Sequence, residues 1–234
     1  MGRSPVRDYI YISRSKVERL AATLPRKTLK QISSIDLSVM GVGAGIGLHN
    51  PPNAHIIELT EAVDTAIRDS HTVYHPAELD VKPGHYIGGS ASLGYGVHAA
   101  RGSMAQDAAV FIGGSRDVGL CLVGSAAHML DRTSPANDVG AVMSVPQAAY
   151  AFLDSVSRPA RSATGRENGS ENDWRLAVGY PFSMLRDQYC EGSQFELSYL
   201  ARVHRVIEIY DEHSGTVDCY VLGSPIWVTL DVPS

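Results

Sequence analysis

Apolar residues follow strand spacing near the start of the chain and helical spacing directly afterwards. Asp8–Ile12 is rich in aromatic and β-branched residues and predicts a strand. A helix follows, with Ser13 in position to cap it and Pro25 in position to end it. The apolar residues of this helix recur at Val17, Leu20, Ala21 and Leu24.

The next stretch predicts a short helix with Leu29 and Ile32, and then a longer helix that Asn53 caps. The longer helix has a broad apolar stripe that covers about four turns. Its members are Ile56, Ile57, Leu59, Val63, Ala66 and Ile67.

Glycine-broken runs of β-forming residues fill the segment from Val81 to Gly124 and predict an antiparallel meander. Two further helices are predicted, over Ser125–Leu130 and Ser144–Val156. The C-terminal part predicts a hairpin and a separate last strand. These strands are Phe195–Tyr210, Thr216–Leu222 and Ile226–Asp231.

Together these elements predict an α+β fold in which three to five helices pack on a mostly antiparallel sheet. The sheet combines the glycine-bent meander with the C-terminal hairpin. We expect a single domain over residues 1–234, because no shift in composition marks a boundary. Residues 157–173 contain no aliphatic side chain larger than alanine, so they predict a mobile surface loop.

Charge and cysteine content narrow the class of protein. Residues 1–34 hold eight basic and two acidic side chains, a balance of +6, whereas the other 200 residues carry −11. One end should therefore attract anions while the whole chain repels nucleic acid, unless these cations are simply solvated on helix surfaces. The chain has three cysteines and no C-x-x-C pair, which favours a reducing compartment such as the cytoplasm. It has no apolar run long enough to span a membrane, so we expect a soluble protein.

Several well-defined sites are excluded by spacing. Gly41–Gly47 places glycine at alternate positions, but it lacks the sixth-position glycine of a dinucleotide-binding loop. The chain contains no P-loop, no H-E-x-x-H pattern and no G-x-S-x-G elbow. We therefore expect neither a cofactor nor a metal ion.

The start of the first helix is the leading candidate site. Ser13, Ser15 and Lys16 place two hydroxyls and an ammonium where a helix presents unpaired N–H groups and partial positive charge. This arrangement suits a phosphate or a carboxylate. The alternative is an ordinary capped helix that carries a surface lysine.

Two strands share a glycine-glycine-serine pattern. Tyr86–Ser90 (YIGGS) recurs as Phe111–Ser115 (FIGGS), which predicts a similar glycine-bent strand end in both places. Among the nine histidines, His128 is the first candidate for ligand contact or proton transfer, because it follows a Gly-Ser turn near a helix start.

Three segments resemble an uncharacterised family of bacterial domains that is common in actinomycetes. They are Y-I-Y-I-S-x-S-K-V at Tyr9–Val17, F-I-G-G-S…G-L-x-L-V-G-S-x-x-H at Phe111–His128, and L-G-S-P-I-W-V-T-L at Leu222–Leu230. The resemblance implies no activity. It does imply that these three places belong together.

If the three segments meet at one edge of the sheet, their small hydroxyls, glycine-bared N–H groups and one lysine would line a polar pocket suited to an anion. The candidate ligand-binding residues are Ser13, Ser15, Lys16, Ser90, Gly114, Ser115, Ser125, His128 and Ser224.

Three functions follow as hypotheses. The preferred one is a sensor or regulatory domain that binds a small anionic metabolite, with nucleotide-like molecules among the candidates. The second is a cofactor-independent enzyme that uses Lys16 or His128, with Tyr9 or Tyr11, as acid–base groups. The third is a protein interaction module. Whether the chain forms a homo-oligomer is left open by the sequence.

Overall fold

A computed structural model describes residues 7–24, 54–78, 80–98, 107–114, 118–130, 186–187, 194–211 and 216–231. Strands make up most of this part of the chain. They are β1 (Asp8–Ile12), β2 (Val73–Tyr74), β3 (Tyr86–His98), β4 (Ala108–Gly114), β5 (Val118–Ser125), β6 (Phe195–Asp211) and β7 (Thr216–Leu230). The described helices are α1 (Arg14–Ala21) and α2 (Ala54–Ser70), with one 3-10 turn at Ala126–His128.

Five strands close on themselves as a barrel. β3 pairs with β4, β4 with β5, β5 with β7, β7 with β6, and β6 returns to β3. The β5–β7 pair is parallel and the other four pairs of the ring are antiparallel. Outside the ring, β1 lies antiparallel to the end of β7, and β2 lies parallel to the start of β3.

Two strands of the barrel pair with different strands along different parts of their length. β3 pairs with β6 as far as Leu93 and with β4 from Leu93 onward. β7 pairs with β5 as far as Gly223 and with β1 from Trp227 onward, while its other edge stays on β6. The second of these changes is where the candidate site lies.

Side chains that point into the barrel form one apolar core. Successive residues of a strand face opposite sides of a sheet, so every second residue of β6 points inward. Those residues are Leu197, Tyr199, Ala201 and Val203, and all four are buried with Phe111 and Leu122 of the opposite wall.

Helices α1 and α2 cover the outer faces of β1, β6 and β7. The apolar stripe predicted for α2 is confirmed: Ile56, Leu59, Val63 and Ile67 are buried against Trp227 and its neighbours. No helix in the described ranges is both long and apolar enough to cross a membrane.

Asp64 ties α2 to the strands. Its carboxylate is buried and accepts hydrogen bonds from Arg68 Nε at 3.0 Å and from an Arg7 guanidinium nitrogen at 3.3 Å. The Arg7 guanidinium in turn lies 4.9 Å from the centre of the Trp227 ring. Because both arginines pair with it, the buried carboxylate is not left as an uncompensated charge.

The predicted α+β fold is wrong. The described chain is a closed five-stranded barrel with extra strands and two helices, not a sheet with three to five helices packed on it. Strand periodicity shows which residues face the core, but it does not show whether the first and last members of a sheet pair with each other. Here β3 and β6 pair and close the ring.

Two element boundaries also differ from the expectation. The predicted helix at Ser125–Leu130 is a single 3-10 turn, and the predicted separate last strand is continuous with the hairpin strand as β7. Pro225 is tolerated inside β7 because the strand has an irregular register there, between Leu200 and Ala201 of β6. Other predictions lie outside the described residues: the helix with Leu29 and Ile32, Asn53, Gly41–Gly47, Ser144–Val156 and the loop 157–173.

The Tyr11 hydroxyl occupies the space that a side chain at position 124 would fill. A Cβ atom on Gly124 would overlap the Tyr11 hydroxyl oxygen and would lie 2.7 Å from the ring carbon that carries it. The buried hydroxyl hydrogen-bonds to the Ser13 side chain and to the backbone of Ser125. Glycine is therefore required at 124 for Tyr11 to reach these partners.

We predict that Gly124→Ala lowers the free energy of unfolding by about 1–3 kcal/mol, because the methyl group displaces a buried tyrosine. In Gly124→Ala/Tyr11→Phe the cost should be smaller than the sum of the two single costs, since the hydroxyl that clashes is gone. Urea unfolding of the wild type, both single variants and the double variant measures this coupling. Simple additivity would show that the two residues do not compete for the same space.

Candidate functional site

The candidate site lies where β7 leaves β5 and joins β1. Leu122 of β5 pairs with Gly223, and Ile12 of β1 pairs with Trp227. The three residues between them, Ser224–Ile226, have no strand partner on that edge in the described pairings. Backbone carbonyls at such a gap need other donors, because a buried unpaired carbonyl costs free energy.

The start of α1 supplies those donors. The Ser13 N–H donates to the Ile226 carbonyl at 2.8 Å, and Lys16 Nζ donates to the Pro225 carbonyl at 2.7 Å. Both side chains are buried, with Lys16 only 6% exposed. The expected alternative of a surface lysine therefore does not describe Lys16.

Ser13 occupies the N-cap position of α1, but its side chain makes no capping hydrogen bond. Its backbone carbonyl accepts from the N–H groups of Lys16 and Val17. Its hydroxyl instead meets that of Tyr11. The predicted serine cap is thus used as a link between the helix and strand β1.

Two guanidinium groups lie near the buried amine. Burial, followed by the nearby guanidinium groups of Arg19 and Arg202, lowers the pKa of Lys16 from 10.5 to about 7. The ion pairs between described residues involve Asp64 and Asp187, and none involves Lys16, Arg19 or Arg202. Within the part of the chain that the structure describes, this cluster has no carboxylate partner.

His204 and Ser224 extend the cluster. His204 Nε2 and the Ser224 hydroxyl share a hydrogen bond of 2.7 Å, and Ser224 is buried. Burial first, and then the charges of Lys16 and Arg202, lower the pKa of His204 to about 4. His204 is the extra residue where the β6–β7 register shifts, which turns its ring toward the same face as Ser224.

A second group of predicted residues meets around Tyr11. The His128 ring lies edge-on to the Tyr11 ring, with centroids 6.0 Å apart, and the Ser125 hydroxyl accepts from the N–H of Ala127 at 3.3 Å. Burial raises the pKa of Tyr11, so its hydroxyl stays protonated at neutral pH. Tyr9 lies against Trp227, and burial raises its pKa as well.

Ser13 connects the Lys16 cluster with the group around Tyr11. Its hydroxyl hydrogen-bonds to Tyr11, and it is the N-cap residue of α1, the helix that contains Lys16. Direct contacts join the predicted residues Tyr11, Ser13, Ser125 and His128. Lys16 and Ser224 come together through neighbouring residues, since Lys16 bonds to the carbonyl of Pro225, which follows Ser224.

Other predicted residues lie elsewhere. Ser15 is exposed on α1. Ser90 pairs with Ser198 of β6, and their hydroxyls are 2.7 Å apart. Gly114 pairs with Gly119 at one end of the β4–β5 hairpin, and Ser125 lies at the other end. Ser115 lies outside the described residues.

The two glycine pairs are similar in part: Gly89 and Gly114 both have positive φ, at 148° and 129°, but only one of the pairs ends its strand. Gly88 and Gly89 lie inside β3, whereas Gly113 and Gly114 end β4. Gly114 needs its positive φ of 129°, and a side chain there would overlap the Val118 carbonyl oxygen.

Sequence reasoning missed Arg19, Arg202 and His204. Arg202 and His204 are two apart in the predicted hairpin, so alternation would have placed them on one face. The signal that was lacking was the continuity of β7, which pairs Arg202 with Ser224. The described residues contain no group of three or more His, Cys, Asp or Glu side chains able to hold a metal ion.

Comparison with known proteins gives one match. The model of a family of unknown function, DUF7019, matches residues 7–231. No curated protein and no solved structure matches the chain. The match supports the expected membership of an uncharacterised family.

We predict that Lys16→Met changes the pH dependence of stability between about pH 7 and pH 10.5. The folded pKa lies below the unfolded one, so in this window the unfolded chain binds the extra proton and stability rises with pH. The slope contributed by one such group approaches about 1.4 kcal/mol per pH unit. Urea unfolding at several pH values should show this rise in the wild type but not in Lys16→Met. Lys82→Met, at an exposed lysine, should keep the rise; its loss there would contradict the assignment.

A second pH effect is predicted for His204. Its folded pKa of about 4 lies below its ordinary value of 6.5, so stability should fall as the pH falls from about 6.5 to about 4. His204→Gln keeps a group able to bond to Ser224 but removes the titration, so the loss of stability in this window should become smaller. His71→Gln, at an exposed histidine, is the matched control. Equal curves for wild type and His204→Gln would contradict the prediction.

Proposed function

We propose that this chain, which belongs to the family of unknown function DUF7019, binds a small anionic ligand beside Lys16 at the start of α1. The proposed role is that of a sensor or regulatory domain. We expect it to act in the cytoplasm, and we expect its relatives to be common in actinomycetes.

One observation carries the proposal. The amine of Lys16 is buried with the guanidinium groups of Arg19 and Arg202 nearby, and no described carboxylate pairs with any of the three. Like charges held together without a counter-charge cost free energy. An anion that enters the cluster removes that cost and gains from the charges of Arg19 and Arg202, and from that of Lys16 when its amine is protonated.

The exposure of the cluster supports a ligand that enters from solvent. Arg19 and Arg202 are exposed, whereas Lys16 and Ser224 are buried. Guanidinium groups at the outside favour planar or tetrahedral oxyanions, which they bind through two parallel hydrogen bonds. The hydroxyl of Ser224 and the remaining N–H groups of Lys16 are further donors on the inner side.

The uneven charge of the sequence supports the same conclusion. Lys16 and Arg19 belong to the N-terminal segment with a balance of +6, in a chain whose overall charge is −5. A local positive site on an otherwise acidic protein attracts small anions and repels polyanions such as nucleic acid. Carboxylates, phosphates and nucleotide-like metabolites are therefore the candidate ligands.

We expect phosphate, nucleoside monophosphates or acyl phosphates to raise the melting temperature of the wild-type protein. A ligand at 100 times its Kd stabilises a protein by about 2.7 kcal/mol. Arg202→Gln should weaken binding about 10- to 100-fold, because a charge-assisted hydrogen bond contributes about 1.5–3 kcal/mol. Thermal shift at constant ionic strength, with chloride replacing the test anion, gives the apparent affinities.

Lys16→Met should weaken binding as well, while Lys82→Met at an exposed lysine should leave the affinity unchanged. Circular dichroism checks that each variant is folded before its affinity is compared. The proposal is contradicted if none of these anions stabilises the wild type beyond chloride. It is also contradicted if folded Arg202→Gln and Lys16→Met variants bind as tightly as the wild type.

A further inference from the structure

The amine of Lys16 differs from that of an ordinary surface lysine in its surroundings. It is 6% exposed, it donates one hydrogen bond to the Pro225 carbonyl, and it lies near the guanidinium groups of Arg19 and of Arg202, whose strand position pairs with Ser224. The hydrogen bond holds the Nζ atom in one place. A nitrogen that is fixed, desolvated and repelled by neighbouring cations is the arrangement from which lysines act as nucleophiles.

We propose, building on the anion site above, that Lys16 forms an imine with a 2-oxo acid that binds in this cluster. Such a ligand has a carboxylate bonded directly to a ketone or aldehyde carbon. The guanidinium groups of Arg202 and Arg19 would hold the carboxylate at the exposed side, and the carbonyl carbon would then face the buried amine.

The protonation state of Lys16 allows this reaction near neutral pH. Only a neutral amine has the lone pair that attacks a carbonyl, and an ordinary lysine is almost entirely protonated at pH 7. Burial together with Arg19 and Arg202 lowers the pKa of Lys16 to about 7, so a large share of the molecules carry the neutral amine. The carboxylate of the ligand in turn offsets the charge of the two guanidiniums.

Imine formation requires neither an oxidant nor a reductant. The nitrogen lone pair forms a bond to the carbonyl carbon, and the carbonyl π electrons move to the oxygen to give a carbinolamine. The two hydrogens of the amine and this oxygen then leave as water, and a carbon–nitrogen double bond forms. Ser224 precedes Pro225 in the chain and is hydrogen-bonded to the neutral His204, so we assign to its hydroxyl the transfer of a proton between nitrogen and oxygen.

Reduction with borohydride tests the proposal directly. The wild-type protein is incubated with pyruvate and sodium borohydride, which reduces an imine to a stable secondary amine. Intact mass spectrometry should show one adduct for each chain. Peptide mapping should place it on Lys16, which is readily told apart because the chain contains four lysines, Lys16, Lys27, Lys30 and Lys82.

Three controls decide between outcomes. Acetone has the carbonyl but no carboxylate, so it should label Lys16 at least tenfold less than pyruvate does. Phosphate should protect Lys16 from pyruvate. Lys16→Met should abolish the adduct and Lys82→Met should keep it, and if Lys16→Met does not fold, the peptide map of the wild type decides alone.

The proposal is overturned if pyruvate gives no adduct, if the adduct is spread over the other lysines and the terminal amine, or if acetone labels Lys16 equally well. These outcomes are distinct from failure of the anion site. Thermal stabilisation by phosphate without an adduct contradicts the imine proposal and supports the anion-binding proposal. If there is neither an adduct nor thermal stabilisation by phosphate, the imine proposal and the anion-binding proposal are both contradicted.

Discussion

The change of neighbour along β7 is the constraint on which the rest of the structure depends. One strand completes the barrel by pairing with β5 and, a few residues later, anchors β1 on the same edge. These two strands cannot occupy the same edge at the same point, so Ser224–Ile226 are left between them. The carbonyls of this gap are buried, and a donor has to reach them. The position of α1, the burial of Lys16 and the placement of Ser13 all follow from that need.

Placing a lysine amine against these buried carbonyls costs free energy, because the amine can carry a charge into the interior. A neutral donor such as a serine or asparagine side chain could satisfy one carbonyl without bringing charge into the interior. The chain instead places an amine there and adds Arg202 and Arg19 beside it, which makes the charge still less favourable. Asp64 shows the opposite arrangement within the same fold, since two arginines compensate its buried charge. This contrast is the reason to regard the Lys16 cluster as a site and Asp64 as a structural pair.

Much of the local structure could be predicted from the sequence. The first strand, the helix that follows it and the apolar stripe of α2 come from residue spacing, and the structure has them in those places. Closure of the barrel could not be predicted, because it depends on pairing between distant strands such as β3 and β6 rather than on local pattern. The same limit applies to the site. Lys16, Ser13 and Ser224 stood out as short motifs, whereas Arg202 and His204 became visible only once β7 proved continuous past Pro225.

The three partnerships of β7 have a consequence for how the protein is made. Asp8 of β1 pairs with Leu230, and β5 and β6 also need β7 before the barrel is complete. During synthesis, β1 and α1 leave the ribosome before the other described elements, yet β7, with which β1 pairs, is translated last among them. Until then, Ile12 and Val17 have no sheet to cover them, and such apolar faces are what chaperones recognise on nascent chains. The five-stranded ring can therefore close only after β7 has been translated.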